Sequence, residues 1–479
     1  MSGDGVARDE PQAPVTRVGL AIGLLVGSAF VMILNETIMS VALPVLIVDL
    51  RISASTAQWL TSGFLLTMAV VIPVTGYLLQ RYSPRQVFVA AMTIFSTGTL
   101  VAALSPGFEL LLVGRVVQAV GTAVMIPLLF TTVMTLIPLE RRGTTMGTIS
   151  IVIAVAPAVG PTISGLILSA LDWRWMFWIV LPIALVALAA GASLLRVPAE
   201  TRTVPLDVLS VLISAVAFSG LVYGLSAIGE AARGGARVPP WIPVVIGAVA
   251  MVVFVRRQLR LQRDDRALLD LRPFAHRSFV VSVLLVALSM MALFGALILL
   301  PLYLQEVLGT DPFTTGLVVL PGGLVMGLLG PVVGRAFDRV GARPLVIPGA
   351  VVLSGALWML TLLVGGPLWT VVAAHVVLSA GIAVMLTPLM TDALSSLPAS
   401  LYSHGSAIIT TLQQVAGAAG TALFVTVMTI ASVSDGAIDA AGVRVAFGTA
   451  AVISLGAIAV SLLVAPKRTA APETVDAAA

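Results

Sequence analysis

Apolar residues along this chain neither alternate with polar ones nor recur on a single helical face. They come in long runs of about 20, the length that crosses a bilayer core of roughly 30 Å at about 1.5 Å per residue. The stretch from Val281 to Leu302 is apolar on every face, the pattern of a helix surrounded by lipid and other helices and not that of a barrel strand. Such runs predict an all-α membrane protein with fourteen helices, near 18–47, 57–79, 87–105, 108–136, 144–170, 174–195, 206–228, 241–255, 278–304, 313–334, 344–365, 367–391, 405–432 and 443–465. They group as six, two and six. The expected organisation is a tail over 1–17, a six-helix bundle over 18–196, a two-helix insertion over 206–255, an Arg-rich loop over 256–277, a second six-helix bundle over 278–465 and a tail over 466–479.

An even number of spans puts both chain ends on one side of the membrane, and the loop cations say which. One face collects 20 of the 26 Arg and Lys residues, among them the seven from Arg256 to Arg277, while the other carries only Arg51, Arg174, Arg233, Arg237 and Arg444. Arg115 alone is left inside a helix. Both termini are therefore expected in the cytoplasm. One span more or fewer would reverse every later loop and spoil the sorting.

Composition excludes several function classes. The chain is 59% hydrophobic and 10% charged, against roughly 45–50% and about 25% in soluble domains, so its main partner is the lipid bilayer. It has no cysteine and only three histidines, His276, His375 and His404, at spacings that suit no metal site. The single lysine, Lys467, is near the end of the chain, which leaves no phosphate-binding Gly-rich loop with its Lys. No cofactor is expected. The net charge of +4 sorts by membrane side, so no nucleic-acid partner is expected either. The first apolar run is too long for a signal-peptide core, and no cleaved leader is expected.

The segments GYLLQRYSPRQVF from Gly76 and GRAFDRVGARPLV from Gly334 share a frame. Gly76, Arg81 and Arg85 match Gly334, Arg339 and Arg343 at a constant offset of 258 residues, each at the cytoplasmic end of a helix. The copies fall on the second and tenth helices, a shift of eight where two six-helix halves alone give six, so the central pair reads as an insertion between parallel repeats.

Both segments resemble the signature of the major facilitator superfamily, Gly-x-x-x-Asp-Arg-x-Gly-x-Arg-Arg/Lys. The second copy supplies Gly334, Asp338, Arg339, Gly341 and Arg343; the first has Gln80 where Asp is usual and Ser83 where Gly is usual. The resemblance implies a conformational gate at the cytoplasmic end, and the alternative reading is plain positive-inside anchoring. LLLVGRVVQAVGTA at 110–123 is similar to the fourth-helix motif of that family, through Arg115, Gln118 and Gly121. APAVGPTISG at 156–165 is similar to the fifth-helix antiporter motif, through Pro157, Gly160, Pro161 and Gly165, which implies export. VALP at 41–44, WRWMF at 173–177 and ALLDLRPFAHRSF at 267–279 resemble the fourteen-helix drug:proton antiporters. NET at 35–37 and LYSHGSAIITTLQQVAGAAGTAL at 401–423 are most similar to its lincomycin-resistance type. Many relatives carry an acid at the position of Asn35, whereas here the acid is Glu36, turned by about 100° on a helix. The resemblance also implies a monomer, drug-like small molecules and protons as partners, and a bacterial cytoplasmic membrane.

Ionisable groups inside a bilayer cost roughly 2.5–3.5 kcal/mol or more. Only Glu36 and Arg115 are firmly interior, roughly 16 Å and roughly 10 Å from the outer ends of their spans. They are the candidate proton-coupling pair, with a permanent structural ion pair as the alternative. Asp207, Glu306, Asp392 and His404 fall near helix ends. Phe30, Met32, Asn35, Gln118, His375, Gln413 and Gln414 are candidate substrate-cavity residues, with core packing as the alternative for each. The expected function is proton-coupled efflux of lipophilic or cationic compounds; a dedicated exporter of a lipid or secondary metabolite remains open. A membrane enzyme would need an acidic pair on an external loop, for which only Asp435 and Asp439 are available, and a nutrient importer is disfavoured by the fifth-helix motif. Reporter fusions at both termini are expected to read cytoplasmic and a fusion in the Arg233–Arg237 loop external; an external C-terminus would overturn the fourteen-helix count.

Overall fold

The computed structural model of the chain describes residues 15–196, 201–202, 205–232, 238–432 and 438–466. The two tails, the Arg233–Arg237 loop and Asp435 lie outside the described residues. Fourteen long apolar helices are found, in the order expected. They are α1 (Val15–Asp49), α2 (Trp59–Arg81), α3 (Pro84–Ala103), α4 (Phe108–Leu136), α5 (Arg142–Ala170), α6 (Trp175–Leu194), α7 (Val208–Ala232), α8 (Trp241–Leu261), α9 (Arg277–Leu302), α10 (Pro312–Val340), α11 (Arg343–Leu362), α12 (Leu368–Ser395), α13 (Tyr402–Ala431) and α14 (Ala440–Ser461). No strand occurs among the described residues. Helices satisfy the backbone within each span, which lipid cannot do.

α1–α6 pack among themselves, as do α9–α14, and α7 and α8 form a hairpin whose α7 also packs on α2 and α13. The hairpin is tied at the Arg-rich end. Arg257 donates to the Asp207 carboxylate at 2.8 and 2.9 Å. That hydrogen bond, with help from Ser210, holds the Asp207 carboxyl below the usual carboxylate range. The anchor is therefore complete at neutral pH and is lost only as pH falls through that lowered value. α8 runs on to Leu261, beyond the apolar run that ends near 255, because its last turns have polar work to do. Gln258 is buried, donates to the Ser210 hydroxyl at 2.8 Å and accepts from the Leu268 and Leu269 amides at 2.8 and 3.3 Å.

The bundles meet most closely between α5 and α10. A Cβ on Gly147 would press on the Gly330 carbonyl and stand 3.1 Å from the Pro331 Cα, and one on Gly334 would press on the Gly143 carbonyl. Only glycine permits this approach. The seam tightens toward the Arg-rich end and loosens toward the other, where a Cβ on Gly165 or Gly316 would meet nothing within 4 Å.

At the tight end the two copies of the repeated segment act differently. Asp338 accepts from the Gly143 and Thr144 amides, each at 2.8 Å, and from the Thr144 hydroxyl at 2.5 Å. These are free N–H groups of the first turn of α5, where no side chain of α5 itself supplies a cap, so a carboxylate of one bundle caps a helix of the other and meets the positive end of its dipole. Gln80, at the matching place in the first copy, makes only a 3.3 Å bond to the Ser400 carbonyl before α13. Ser83, where Gly is usual, caps α3 in a box with Gln86, whereas Gly341 turns the chain with φ of 83°, a conformation that favours glycine. Thr131 with Ser406 at 2.9 Å and Arg142 with the Tyr402 hydroxyl at 3.2 Å complete the closure.

Other expected charges have structural partners. Asp392 accepts from Ser278 and Ser282 at 2.8 and 2.9 Å. Asp439 caps α14 through the Gly442 amide at 2.8 Å, which gives it a helix-end role in place of the acid expected of an enzyme. Arg85 donates to the Ala192 carbonyl near the end of α6 at 2.8 Å. Trp173 is buried and donates to Asp49 at 2.7 Å, closing the α1 and α6 ends together.

Because the chain has no cysteine of its own, the closure can be read by cross-linking a Thr131→Cys/Ser406→Cys pair. Asp338→Asn is expected to slow oxidative cross-linking by about tenfold, equivalent to about 1.4 kcal/mol. Gln80→Ala is expected to slow it by less than about threefold, since a neutral bond contributes less. Equal effects would contradict the asymmetry between the two copies.

Candidate functional site

Arg115 lies in the second turn of α4 and is fully buried. Its Nη1 donates to the Gln118 Oε1 at 3.1 Å and to the Asn35 carbonyl at 3.4 Å, and its Nε to the Leu60 carbonyl at 3.4 Å. The guanidinium lies 4.2 Å from the centre of the Phe64 ring. Gln118 in turn donates to the Thr99 hydroxyl at 2.8 Å. One cation thus draws on α1, α2 and α4, and through Gln118 on α3, replacing water by carbonyl oxygens and an aromatic face.

That shell is incomplete. Arg115 Nη2 and both amide atoms of the buried Asn35 have no hydrogen-bond partner in the protein. Buried polar groups are nearly always satisfied, so these three atoms make this the candidate polar site of the first bundle.

The one-residue offset of the acid matters here. Asn35 supplies its backbone carbonyl to Arg115 and is buried. Glu36, the next residue, is half-buried. Among the described residues no cation forms an ion pair with Glu36 within 4.0 Å; its link to Arg115 is electrostatic and through space. The two expected coupling residues are neighbours without being a direct ion pair.

The fifth-helix segment packs on the next turn of α1. A Cβ on Gly160 would press on the Thr37 hydroxyl and stand 3.0 Å from the Thr37 Cβ, and Ser164 donates to the Ile38 carbonyl at 2.9 Å. Thr37 follows Glu36 directly, so α5 touches the acid-bearing segment with one face and α10 with another. Pro157 is half-buried and Gly165 is exposed; the Pro161 side chain lies outside the described residues.

In the second bundle His375 is buried on α12, with its ring packed against Gly322 of α10. Met32 is buried in the apolar core, Phe30 is half-buried on the same helix, and Gln413 and Gln414 are half-buried on α13, with Gln413 Nε2 3.6 Å from the Met390 sulfur. The structure therefore brings Asn35, Glu36, Arg115 and Gln118 together and leaves His375 and the two glutamines on the other bundle. Among the described residues no group of three or more His, Asp or Glu could hold a metal ion. Sequence reasoning missed Phe64, Thr99 and Thr37. Phe64 and Thr37 fall within the apolar and NET stretches, and only the helix contacts single them out.

The sequence matches the Major Facilitator Superfamily over residues 25–421. It is 44% identical to a lincomycin resistance protein LmrB of Listeria monocytogenes over 402 residues, covering 84% of each chain. The corresponding protein of Bacillus subtilis is 39% identical over 410 residues, covering 85% of each. Among solved structures, the human organic anion transporter MFSD10 superposes with a TM-score of 0.66 at 16% identity, covering 94% of this chain and all of that one. The proton:xylose symporter XylE superposes with a TM-score of 0.63 at 16% identity, covering 94% and 96%. These two likenesses are of fold, and the family and its relatives are transporters, not enzymes. The family match over residues 25–421 and relatives 39–44% identical over most of both chains, on a fold of fourteen long apolar helices, make this chain a member of the Major Facilitator Superfamily.

Proposed function

We propose that this protein exports lipophilic or cationic drug-like compounds across the bacterial cytoplasmic membrane in exchange for protons, with both termini and the Arg-rich end in the cytoplasm. The observation that carries the reading is the placement of α5, whose Gly160 seats on Thr37 beside Glu36 while its first turn is capped by Asp338 of the opposite bundle. A proton on Glu36 removes its attraction for Arg115 and loosens the α1 segment on which α5 rests. α5 is a single helix, so that change reaches the seam that closes the cytoplasmic end.

The cycle follows from which bundle end is open. With the Arg-rich end shut, Glu36 takes a proton from outside. The protonated carrier turns inward, a substrate enters from the cytoplasm or inner leaflet as the proton leaves, and the deprotonated carrier returns it outward. Arg115, Asn35 and Gln118 hold the polar part of the site, and Phe30, Met32, His375, Gln413 and Gln414 belong to its walls, where Met and amide side chains suit varied ligands. Gly76, Arg81, Arg85, Gly334, Asp338, Arg339, Gly341 and Arg343 form the gate. The protein works as a monomer, divided as its sequence divides at 18–196, 206–255 and 278–465. The lincomycin resistance of the named relatives supports an antibiotic-like substrate.

Glu36→Gln is expected to insert normally, since a neutral amide is cheaper to bury than a carboxylate, and to abolish proton-driven uptake of lincomycin and of tetraphenylphosphonium into inside-out vesicles. Native uptake rates in this variant would remove Glu36 from the mechanism. Gly160→Leu is expected to reach the membrane in normal amounts but to lower efflux by at least about tenfold, with Gly160→Ala intermediate, because each added carbon pushes α5 off Thr37. Unimpaired efflux by Gly160→Leu would reduce the segment to a tolerant bend.

A further inference from the structure

The two bundles also meet on a second seam, between α2 and α13, which corresponds in the repeat frame to the seam between α10 and α5. Gly76 of α2 and Gly334 of α10 differ by 258 residues, and so do Gly147 of α5 and Gly405 of α13. Gly334 rests on the backbone of α5, and Asp338 caps that helix. Gly76 rests instead on a side chain of α13: a Cβ there would stand 2.7 Å from Nδ1 of His404. The His404 ring is buried, and the same Nδ1 accepts from the Asp270 amide at 3.2 Å. One imidazole atom thus lies where the first bundle, the second bundle and the segment joining α8 to α9 come together.

That segment, residues 262–276, has a fold of its own. It turns at Asp265 with φ of 52°, a conformation that Asp adopts more readily than most residues. The Arg272 guanidinium clasps Asp265 at 2.5 Å and Asp270 at 2.7 Å, and the Arg272 amide donates to Asp270 at 2.9 Å. The Leu268 and Leu269 amides go to Gln258, the Leu271 amide to Gln262 at 3.2 Å and the Arg266 amide to the Leu261 carbonyl at 3.0 Å. All of these partners belong to α8 or to the segment itself. Among these amides, only that of Asp270 reaches another helix. Leu268 and Leu269 are nevertheless 1% and 4% exposed, and at the end of a span their release would bring them into water, which favours reclosing.

The insertion straddles the seam. α7 packs on both α2 and α13, so it cannot follow both when the bundles part. Its ties to α2 are the stack of Tyr223 on Trp59, with ring centres 6.0 Å apart, and a 2.9 Å hydrogen bond from the Arg202 amide, a few residues before α7, to the Gln80 carbonyl. To α13, among the described residues, the insertion and its loop have the single hydrogen bond from Asp270 to His404. That joint gives way most readily, because it is one uncharged bond and the segment keeps its internal bonds on α8 when it is lost.

We propose that residues 265–272 are a strap that latches the seam between α2 and α13 by holding His404 on Gly76, and that the strap leaves His404 whenever the Arg-rich end opens. It supplies a closure at the seam where the first copy of the repeated segment has Gln80 in place of an acid. The proposal rests on the alternating gate of the reading above and not on its substrate or its proton.

The test follows backbone hydrogen exchange by mass spectrometry in the full-length Thr131→Cys/Ser406→Cys protein in lipid, once with the pair oxidised and the seam locked, and once with it reduced. The amides of residues 268–270 are expected to exchange at least about tenfold faster in the reduced form, together with the Asp338-capped amides of Gly143 and Thr144. Equal exchange of 268–270 in both forms, with Gly143 and Thr144 responding, strikes the strap and leaves the gate. Equal exchange at both places means that the Arg-rich end does not open, and the gate reading and the strap fall together. Arg272→Ala, which undoes the clasp without altering α2 or α13, is expected to slow oxidative cross-linking of the 131/406 pair by about fivefold, with Arg272→Lys in between. Native cross-linking rates in Arg272→Ala overturn the proposal.

Discussion

The carboxylate of Asp338 against the free amides of α5 is the contact on which the rest of the arrangement depends. The first turn of a helix exposes N–H groups that nothing within the helix can satisfy. At the membrane surface water would normally take them. Here an acid from the other bundle does, while glycines at 143, 147, 330 and 334 bring the backbones together below it. The closed end is held by a charged cap that has a definite geometry and can be released as a unit, and hydrogen bonds of this charged kind contribute about 1.5–3 kcal/mol each. A closure built only of apolar contacts would gain little inside lipid, which is as apolar as the side chains.

α5 converts that cap into part of a longer chain of contacts. Its N-terminal turn meets Asp338 of the other bundle and its middle packs on the α1 segment with Asn35, Glu36 and Thr37. The buried Arg115 meets the same segment at the Asn35 carbonyl. A stiff rod between a chargeable site and a bistable seam is a physical route for coupling, because a packed interface switches between arrangements more readily than it deforms. The first copy of the segment has Gln80 at the place of Asp338, and among the described residues its side chain bonds the Ser400 carbonyl and caps no helix, so the two contacts across the bundles differ in strength.

Much of this was legible in the sequence. Helix number and order follow from the apolar runs, since lipid demands length and apolarity more than anything else. The repeated segment is visible because its glycines and charges sit at helix ends where backbone geometry restricts them. Direction within the membrane is harder to read. A helix apolar on every face carries no periodic signal for which side meets a neighbour, so the sequence left open whether Asn35 or Glu36 meets Arg115, and it could not show that Asn35 supplies its carbonyl while Glu36 stands apart. The extension of α8 to Leu261 was hidden for a related reason. Gln258 and Arg257 look like loop residues until Ser210 and Asp207 of α7 are placed beside them. Ser83 reads as a defect in the motif and proves to be a helix cap.

The central claim is that protonation of Glu36 is transmitted by α5 to the Arg-rich end. Spin labels at positions 131 and 406, whose side chains meet across the closed seam, report its opening directly. The account predicts that acidification lengthens this distance in the native protein, and that Glu36→Gln, which mimics the protonated acid, holds the longer distance at every pH. An identical pH response in the native protein and in Glu36→Gln would contradict it.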